Sequence, residues 1–389
     1  MFSLSRFGQL LQGVSRKVFN QSVERSKADR YAKSFKSWDL LVLLIYGQLH
    51  SGASMRSLLT RFNMKEAHHY HLGVKPCKRS TVSDAMAKRD LAPFEVLCQH
   101  LIGNVKKEQQ KKVGQVLRAI DSTPIKLIAS RYDNWAEQTK AHRGRGLKAH
   151  IGYDLDAKGI DYLSLSALNV NDISEIQKQQ IKPNQVYIVD KGYTDYNWWH
   201  AINQAGSVFI TRLKKNAAYC ITHEKALVSE KVLADQTIEL TNKKPRAGAL
   251  NHYANKPLRR VIVKKEGDDK NPYWFITNDF ERSAEEIAEL YKQRWQIELL
   301  FKWIKGHLKF KQFYGASENA VKMQIYVAII TYLLVRQLKK LEQCDKQSLM
   351  QFLTVLQASL FERRTSQREY YRRRKELNEY IAKNQRILF

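Results

Sequence analysis

Three runs set the fold: QVLRAID at residues 115–121, LKAHIGYDL at 147–155 and DYLSLSALNV at 161–170. Each is β-branched or alternates apolar with polar residues, and turn formers separate them, the pattern of three consecutive antiparallel strands. A helical stretch, DISEIQKQQI (172–181), follows, and QVYIVD (185–190) then reads as a short strand buried on both faces. Three strands, a helix and a further strand predict an α/β core on a mixed sheet. The later runs SVFITRL, KVLADQTIEL, LRRVIVKK and YWFITN, spaced by loops rich in Lys, Asn, Pro and Gly, predict a β-rich insertion over about 206–280.

Around this centre the chain is helical. Residues 1–105 carry helical spacing, as in SWDLLVLLIYGQL (37–49), and RSTVSDAMAKRDLAPFEVLCQHL (79–101) offers Ser80 or Thr81 as a cap. A charged linker, NVKKEQQKKVG, leads into a central domain expected over 106–340, and 341–389 forms a basic helical C-terminal region with FERRTSQREYYRRRKELNEYIAKNQ. The basic and hydroxyl residues around Arg56 and from Lys78 to Arg89 suit DNA phosphates, although a solvated helix face reads the same way.

The 389 residues hold 66 Lys and Arg against 38 Asp and Glu, a formal charge of +28 that invites a polyanion such as nucleic acid. Four cysteines lie far apart without a CxxC pair, and the AHHYH cluster near Cys77 fits no zinc-finger spacing. The N-terminus lacks an apolar run of signal length, and IYVAIITYLLV (325–335) is short for a membrane span. A soluble cytoplasmic protein is expected.

Asp121 and Asp190 each end a predicted strand, where α/β sheets hold ligands in a crevice, although such an Asp is also a common turn residue. A third carboxylate lies in YKQRWQIELLFKWIKGHLK (291–309). At about 100° per residue, Tyr291, Arg294, Glu298 and Lys305 share an arc of roughly 60°, with Lys302 and Lys309 beside them. Ile297, Leu299, Leu300, Trp303 and Ile304 fall on the other, buried side. An i,i+4 ion pair would explain Arg294 and Glu298 but not the whole stripe. Three converging carboxylates suit a pair of hard divalent cations about 3.5 to 4 Å apart, which activate water or a 3′-hydroxyl for phosphodiester displacement. Arg and Lys beside them suit backbone phosphates.

Asp121, Asp190 and Glu298, in that order, resemble the DDE triad of RNase-H-like transposases. Tyr291, Arg294, Glu298 and Lys305 match the Y-x2-R-x3-E-x6-K signature of the fourth insertion-sequence family. The likeness extends over IDST, VDKGYTDY, FITRLKKN, WFITND, EIAELYKQRWQIELLFKWIK and FYGASENAVKMQI, most of residues 115 to 335. The resemblance implies an RNase-H-like catalytic core behind an all-helical N-terminal DNA-binding domain. It implies a bacterial cut-and-paste transposase that cleaves at its element's terminal inverted repeats and joins the ends to target DNA. It assigns two Mg²⁺ ions, with Mn²⁺ as substitute, to Asp121, Asp190 and Glu298, and phosphate contacts to Tyr291, Arg294 and Lys305, with Lys302 alongside. Arg212 and Lys214 match a further DNA-contacting pair, and the aromatic that would stack on a flipped base is Tyr273 or Trp274. A homodimer on double-stranded DNA, associated with the nucleoid, is implied, with no membrane and no small-molecule cofactor. The alternative is an inactive or domesticated copy that binds DNA without cutting; an RNase-H-like nuclease without strand transfer is a third.

Overall fold

The computed structural model describes residues 4–50, 54–109, 114–127, 130–132, 134–136, 145–227, 229–242, 250–265, 267–309 and 312–362. The basic tail from Arg363 onward lies outside them. Seven helices come first: α1 (Arg6–Gln12), α2 (Arg16–Arg25), α3 (Ser37–Leu49), α4 (Met55–Asn63), α5 (Glu66–Leu72), α6 (Arg79–Lys88) and α7 (Ala92–Gln109). Strands β1 (Val116–Lys126), β2 (Gly146–Asp154) and β3 (Gly159–Ala167) follow, then α8 (Asp172–Ile176), β4 (Gln185–Val189), α9 (Tyr196–Gln204) and β5 (Val208–Arg212). Next come β6 (Tyr219–Glu224), β7 (Val232–Leu240), β8 (Pro257–Lys265) and β9 (Asp268–Thr277). The described chain closes with α10 (Ala284–Gln293), α11 (Trp295–His307), α12 (Glu318–Leu341) and α13 (Leu349–Ala358).

The chain divides into two compact units, Met1–Leu97 with Tyr326–Phe389, and Cys98–Ile325. The expected divisions near 105 and 340 set the C-terminal region apart. Instead its described helix, α13, shares a unit with the N-terminal helices, and α1 docks beside it. The Phe7 amide donates to the Leu360 carbonyl at 2.8 Å, Arg6 pairs with Glu342 at 3.1 Å, and the Phe7 ring meets Phe361 edge-on. Helix α12 is long and apolar enough to cross a membrane, but 83% of that stretch is buried inside the protein.

In the second unit the strands form one sheet in the order β3-β2-β1-β4-β5-β9-β8-β7-β6. The first three are antiparallel, as their alternation predicts, and β4 and β5 run parallel to β1. This is the RNase-H-like core. SVFITRL, grouped by sequence with the insertion, is instead the fifth core strand. Its buried Phe209, Ile210 and Thr211 pack centrally, and the insertion proper begins after Arg212. β6 to β9 extend the same sheet from the β5 edge.

Strand alternation sorts side chains to two faces. Ile120, Val189, Phe209 and Ile276 point to one, where α9 buries Trp198 and Trp199, the latter stacked on Phe209 at 4.9 Å. The other face receives α10 and α11: Tyr291 packs on Phe275 at 4.9 Å, and Ile287, Ile297, Leu300 and Ile304 are buried. The helical stretch that holds residues 291–309 starts at Ser283 on a capping box, with Ser283 and Glu286 exchanging bonds of 3.1 and 2.6 Å. It is not continuous. At Arg294 the winding tightens, with i→i+3 bonds from the Arg294 amide to Tyr291 and from the Ile297 amide to Arg294. The buried stripe of α11 becomes Ile297, Leu300, Phe301 and Ile304, which leaves Leu299, expected inside, 50% exposed.

A buried arginine ties the insertion to α10. Arg259 donates to both oxygens of Asp235 at 2.8 and 2.7 Å, and to the carbonyls of Asp279 and Arg282 just ahead of α10. Both charges lie inside the protein. Arg259→Met should therefore destabilise the chain by about 3–5 kcal/mol, because it strands a buried carboxylate and two carbonyls. Urea unfolding measures this; a loss below about 1 kcal/mol would contradict it.

Candidate active site

The ladder between β1 and β4 ends at Ile120 opposite Val189. The next residue on each strand is an aspartate, so Asp121 and Asp190 emerge side by side at the carboxyl ends of two neighbouring parallel strands, which in sheets lie about 4.8 Å apart. Both leave the sheet on the face that α10 and α11 cover, opposite the α9 face entered by Ile120 and Val189. Past Ile120, β1 continues with β2 alone, and exposed Pro124, which has no amide hydrogen, is tolerated there.

Helix contacts close the site. The Tyr291 hydroxyl donates to Asp190 Oδ1 at 3.5 Å. Arg294 reaches both ways, with Nη2 donating to Glu298 Oε1 at 2.5 Å and Nη1 lying 3.5 Å from Asp121 Oδ2. The turn at Arg294 sets this, since it lies at the junction where α10, packed on β5, ends and α11, packed on β1, begins. The Ser122 amide donates to Asp121 Oδ1 at 2.8 Å.

Electrostatics follow the geometry. Burial pushes the Asp121 carboxyl up to about 6; the Asp190 and Glu298 charges add to this, while the Ser122 amide and Arg294 oppose it. Burial likewise pushes the Tyr291 hydroxyl up to about 12, so it stays a donor at neutral pH. Burial disfavours the Arg294 charge, but its bond to Glu298 and the nearby acids prevail and raise its pKa. This site is short of positive charge, and Arg294 partly supplies it.

The other expected residues surround this centre unevenly. Lys305 sits half-buried two turns beyond Glu298 on α11, and Lys302 is exposed. Arg212 ends β5 beside β4 with its guanidinium 5.4 Å from the Tyr273 ring, and Lys214 is exposed just beyond. Tyr273 stacks on Phe275, on the face of Tyr291. Trp274, one residue along, points to the opposite face and packs against the Trp198–Trp199 cluster. Among the described residues no three His, Cys, Asp or Glu are already gathered around one point. His69, of the AHHYH cluster, is buried against the Phe62 carbonyl at 2.9 Å. Sequence reasoning passed over Ser122, although IDST places a hydroxyl directly after the aspartate.

The donor set fits a divalent cation. Asp121, Asp190 and Glu298 are hard oxygen ligands on three rigid elements, and Arg294 lies between two of them as a cation already held by the same oxygens.

The pattern of a transposase DDE domain matches residues 112–334, and that of a domain of unknown function matches 3–75. The protein y4zB of Sinorhizobium fredii, which bears a transposase name, is 37% identical over 288 residues, covering 73% of this chain and 77% of its own. A transposase-named protein of insertion sequence element IS5377 from Geobacillus stearothermophilus is 25% identical, covering 82% and 80%. One of element IS4SA from Synechocystis is 27% identical, covering 78% and 81%.

The sign of the Asp121 shift makes a prediction. Its folded value lies above the ordinary value near 4, so the stability it contributes is complete below about pH 4 and lost as pH rises through about 6. Without metal, Asp121→Asn should melt above the unsubstituted chain at pH 8, with the gap closing by pH 4. Scanning calorimetry across that range would refute the account if the variant melted lower at pH 8.

Proposed function

The chain belongs to the transposase DDE domain family and is an insertion-sequence transposase, and from that premise we propose how its residues carry out cleavage at the element ends and strand transfer into target DNA. The observation that carries the reading is the register of β1 and β4, which sets Asp121 and Asp190 side by side beneath the helix that bears Glu298. These three would hold Mg²⁺, or Mn²⁺ in its place, as a pair of ions. When bound, the ions activate a water or 3′-hydroxyl and neutralise charge on the leaving oxygen.

The chain's own residues supply the rest. Arg294 moves from Glu298 Oε1 toward a DNA phosphate as its place among the carboxylates is taken, and its planar fork grips two phosphate oxygens. Tyr291, protonated at neutral pH, donates to a phosphate oxygen from beside Asp190. Lys305 and exposed Lys302 continue this cationic line along α11, and Arg212 and Lys214 extend it from the end of β5. These assignments follow the resemblance to the fourth insertion-sequence family, and on that reading the chain would act as a homodimer on its terminal inverted repeats.

Of the two aromatic candidates, Tyr273 is the better placed to stack on a flipped base. It shares the sheet face of Phe275 and Tyr291, whereas Trp274 is committed to the opposite core. The exposed Arg56, Arg79, Ser80 and Thr81 of α4 and α6 support DNA contact by the N-terminal helices. The site would work in the bacterial cytoplasm, at the nucleoid.

A plasmid carrying the gene with its flanking DNA, incubated with Mg²⁺, tests this. Breaks should map to discrete element ends, and Glu298→Gln should keep fold and DNA binding while cleavage falls by at least about a hundredfold. Equal cutting by the variant would refute the carboxylate assignment, and metal-dependent breaks scattered over unrelated DNA would point to a plain nuclease.

A further inference from the structure

Behind the catalytic carboxylates, on the sheet face away from α11, lies a polar cluster that the proposed chemistry leaves unused. Ser122 follows Asp121 and so points to the opposite face. Its hydroxyl donates to Asp172 Oδ1 at 2.9 Å. Lys148, opposite Pro124 in the β1–β2 ladder, donates to the same oxygen at 2.8 Å and to the Val170 carbonyl at 2.7 Å. His150, opposite Ser122, is 1% exposed; its Nε2 bonds Ser166 Oγ at 2.8 Å and its Nδ1 stands 3.7 Å from Asp172 Oδ1. Burial, foremost, holds this imidazole below its ordinary value. Lys148 is then the cation paired directly with the Asp172 carboxylate.

An ordinary account of Asp172 exists: it opens α8, where an acid complements the helix dipole. That account does not explain why the carboxylate is bonded by a lysine of β2 and a serine of β1. The mechanics of β1 do. From Asp121 onward this strand has lost its β4 neighbour and keeps backbone bonds only to β2. A strand held on one side twists and frays more readily, and here it carries a carboxylate that must stay aimed. Ser122 is gripped at both ends, its hydroxyl by Asp172 and its amide by Asp121 Oδ1 at 2.8 Å.

We infer that Asp172, braced by Lys148, is a positioning residue: it anchors Ser122, whose amide holds one oxygen of Asp121 so that the other faces Arg294, the side chain that also holds Glu298. This rests on the reading of Asp121 as a metal ligand. A support of this kind acts on metal affinity, because a ligand left to rotate must be ordered again at each binding event.

Titration calorimetry of Mn²⁺ into the full-length chain, with melting temperature followed for each variant, separates the two claims. The unsubstituted chain should take up Mn²⁺ and Asp121→Asn should lose that uptake, which upholds the site. Ser122→Ala and Asp172→Ala should each weaken Mn²⁺ binding by about ten- to hundredfold in the folded chain, and Ser122→Thr, which restores the hydroxyl, should recover most of the loss. Affinities within about twofold of the unsubstituted chain for folded Ser122→Ala would overturn the inference and leave the site standing. If Asp172→Ala fails to fold, Ser122→Ala decides alone, since it removes one hydroxyl and keeps the amide. Equal uptake by Asp121→Asn, or none by the unsubstituted chain, would sink the metal site and this inference with it.

Discussion

Like charges at the end of a sheet repel, and the whole second unit is arranged around that repulsion. The parallel register of β1 and β4 leaves Asp121 and Asp190 as neighbours with no ladder bond between them to separate their charges. Glu298 arrives from α11 as a third acid. Arg294 bridges Asp121 and Glu298, and without a cation in that place the carboxylates would hold protons or move apart. Burial, foremost, raises the Asp121 pKa; the repulsion from Asp190 and Glu298 adds to it, and the Ser122 amide and Arg294 oppose it.

Once that constraint is set, the rest of the architecture reads as support. The α9 core fixes the strand ends from behind, with Trp199 stacked on Phe209 beneath the sheet. The insertion extends the sheet from β5, and through buried Arg259 it anchors the entry to α10, so the helix that carries Tyr291 and Arg294 is referenced to the same sheet as the aspartates. The tight turn at Arg294 divides that helix, placing Tyr291 over Asp190 and Glu298 within reach of Arg294. The surplus of basic residues fits a partner whose phosphates replace the internal ion pair.

Much of this was legible in the residues. Alternating or β-branched runs marked β1 to β3, a short apolar run marked β4, and a strand-terminal Asp on each side of a helix pointed to a crevice. What was not legible depended on pairing partners. SVFITRL has the composition of both a core strand and an insertion strand, and only its parallel ladder with β4 assigns it to the core. The break at Arg294 has no Gly or Pro to announce it, and a wheel that sorts residues by polarity alone put Leu299 inside when it is half exposed. Tyr273 and Trp274 differ by one residue, which in a strand is the difference between two faces, and the register of β9 on β5 and β8 separates them. The role of Asp172 was hidden in the same way: adjacent in space to Ser122, it is 50 positions away in sequence. The expected basic C-terminal helix lies outside the described residues.

The most direct test is a crystal structure of the chain bound to its element-end DNA and Mn²⁺, with the metal located by its anomalous scattering. The account predicts an anomalous peak contacted by Asp121 and Asp190 and approached by Glu298, with the Arg294 guanidinium moved off Glu298 onto a phosphate. A peak at other residues, or Arg294 still bonded to Glu298 beside an occupied metal site, would contradict it.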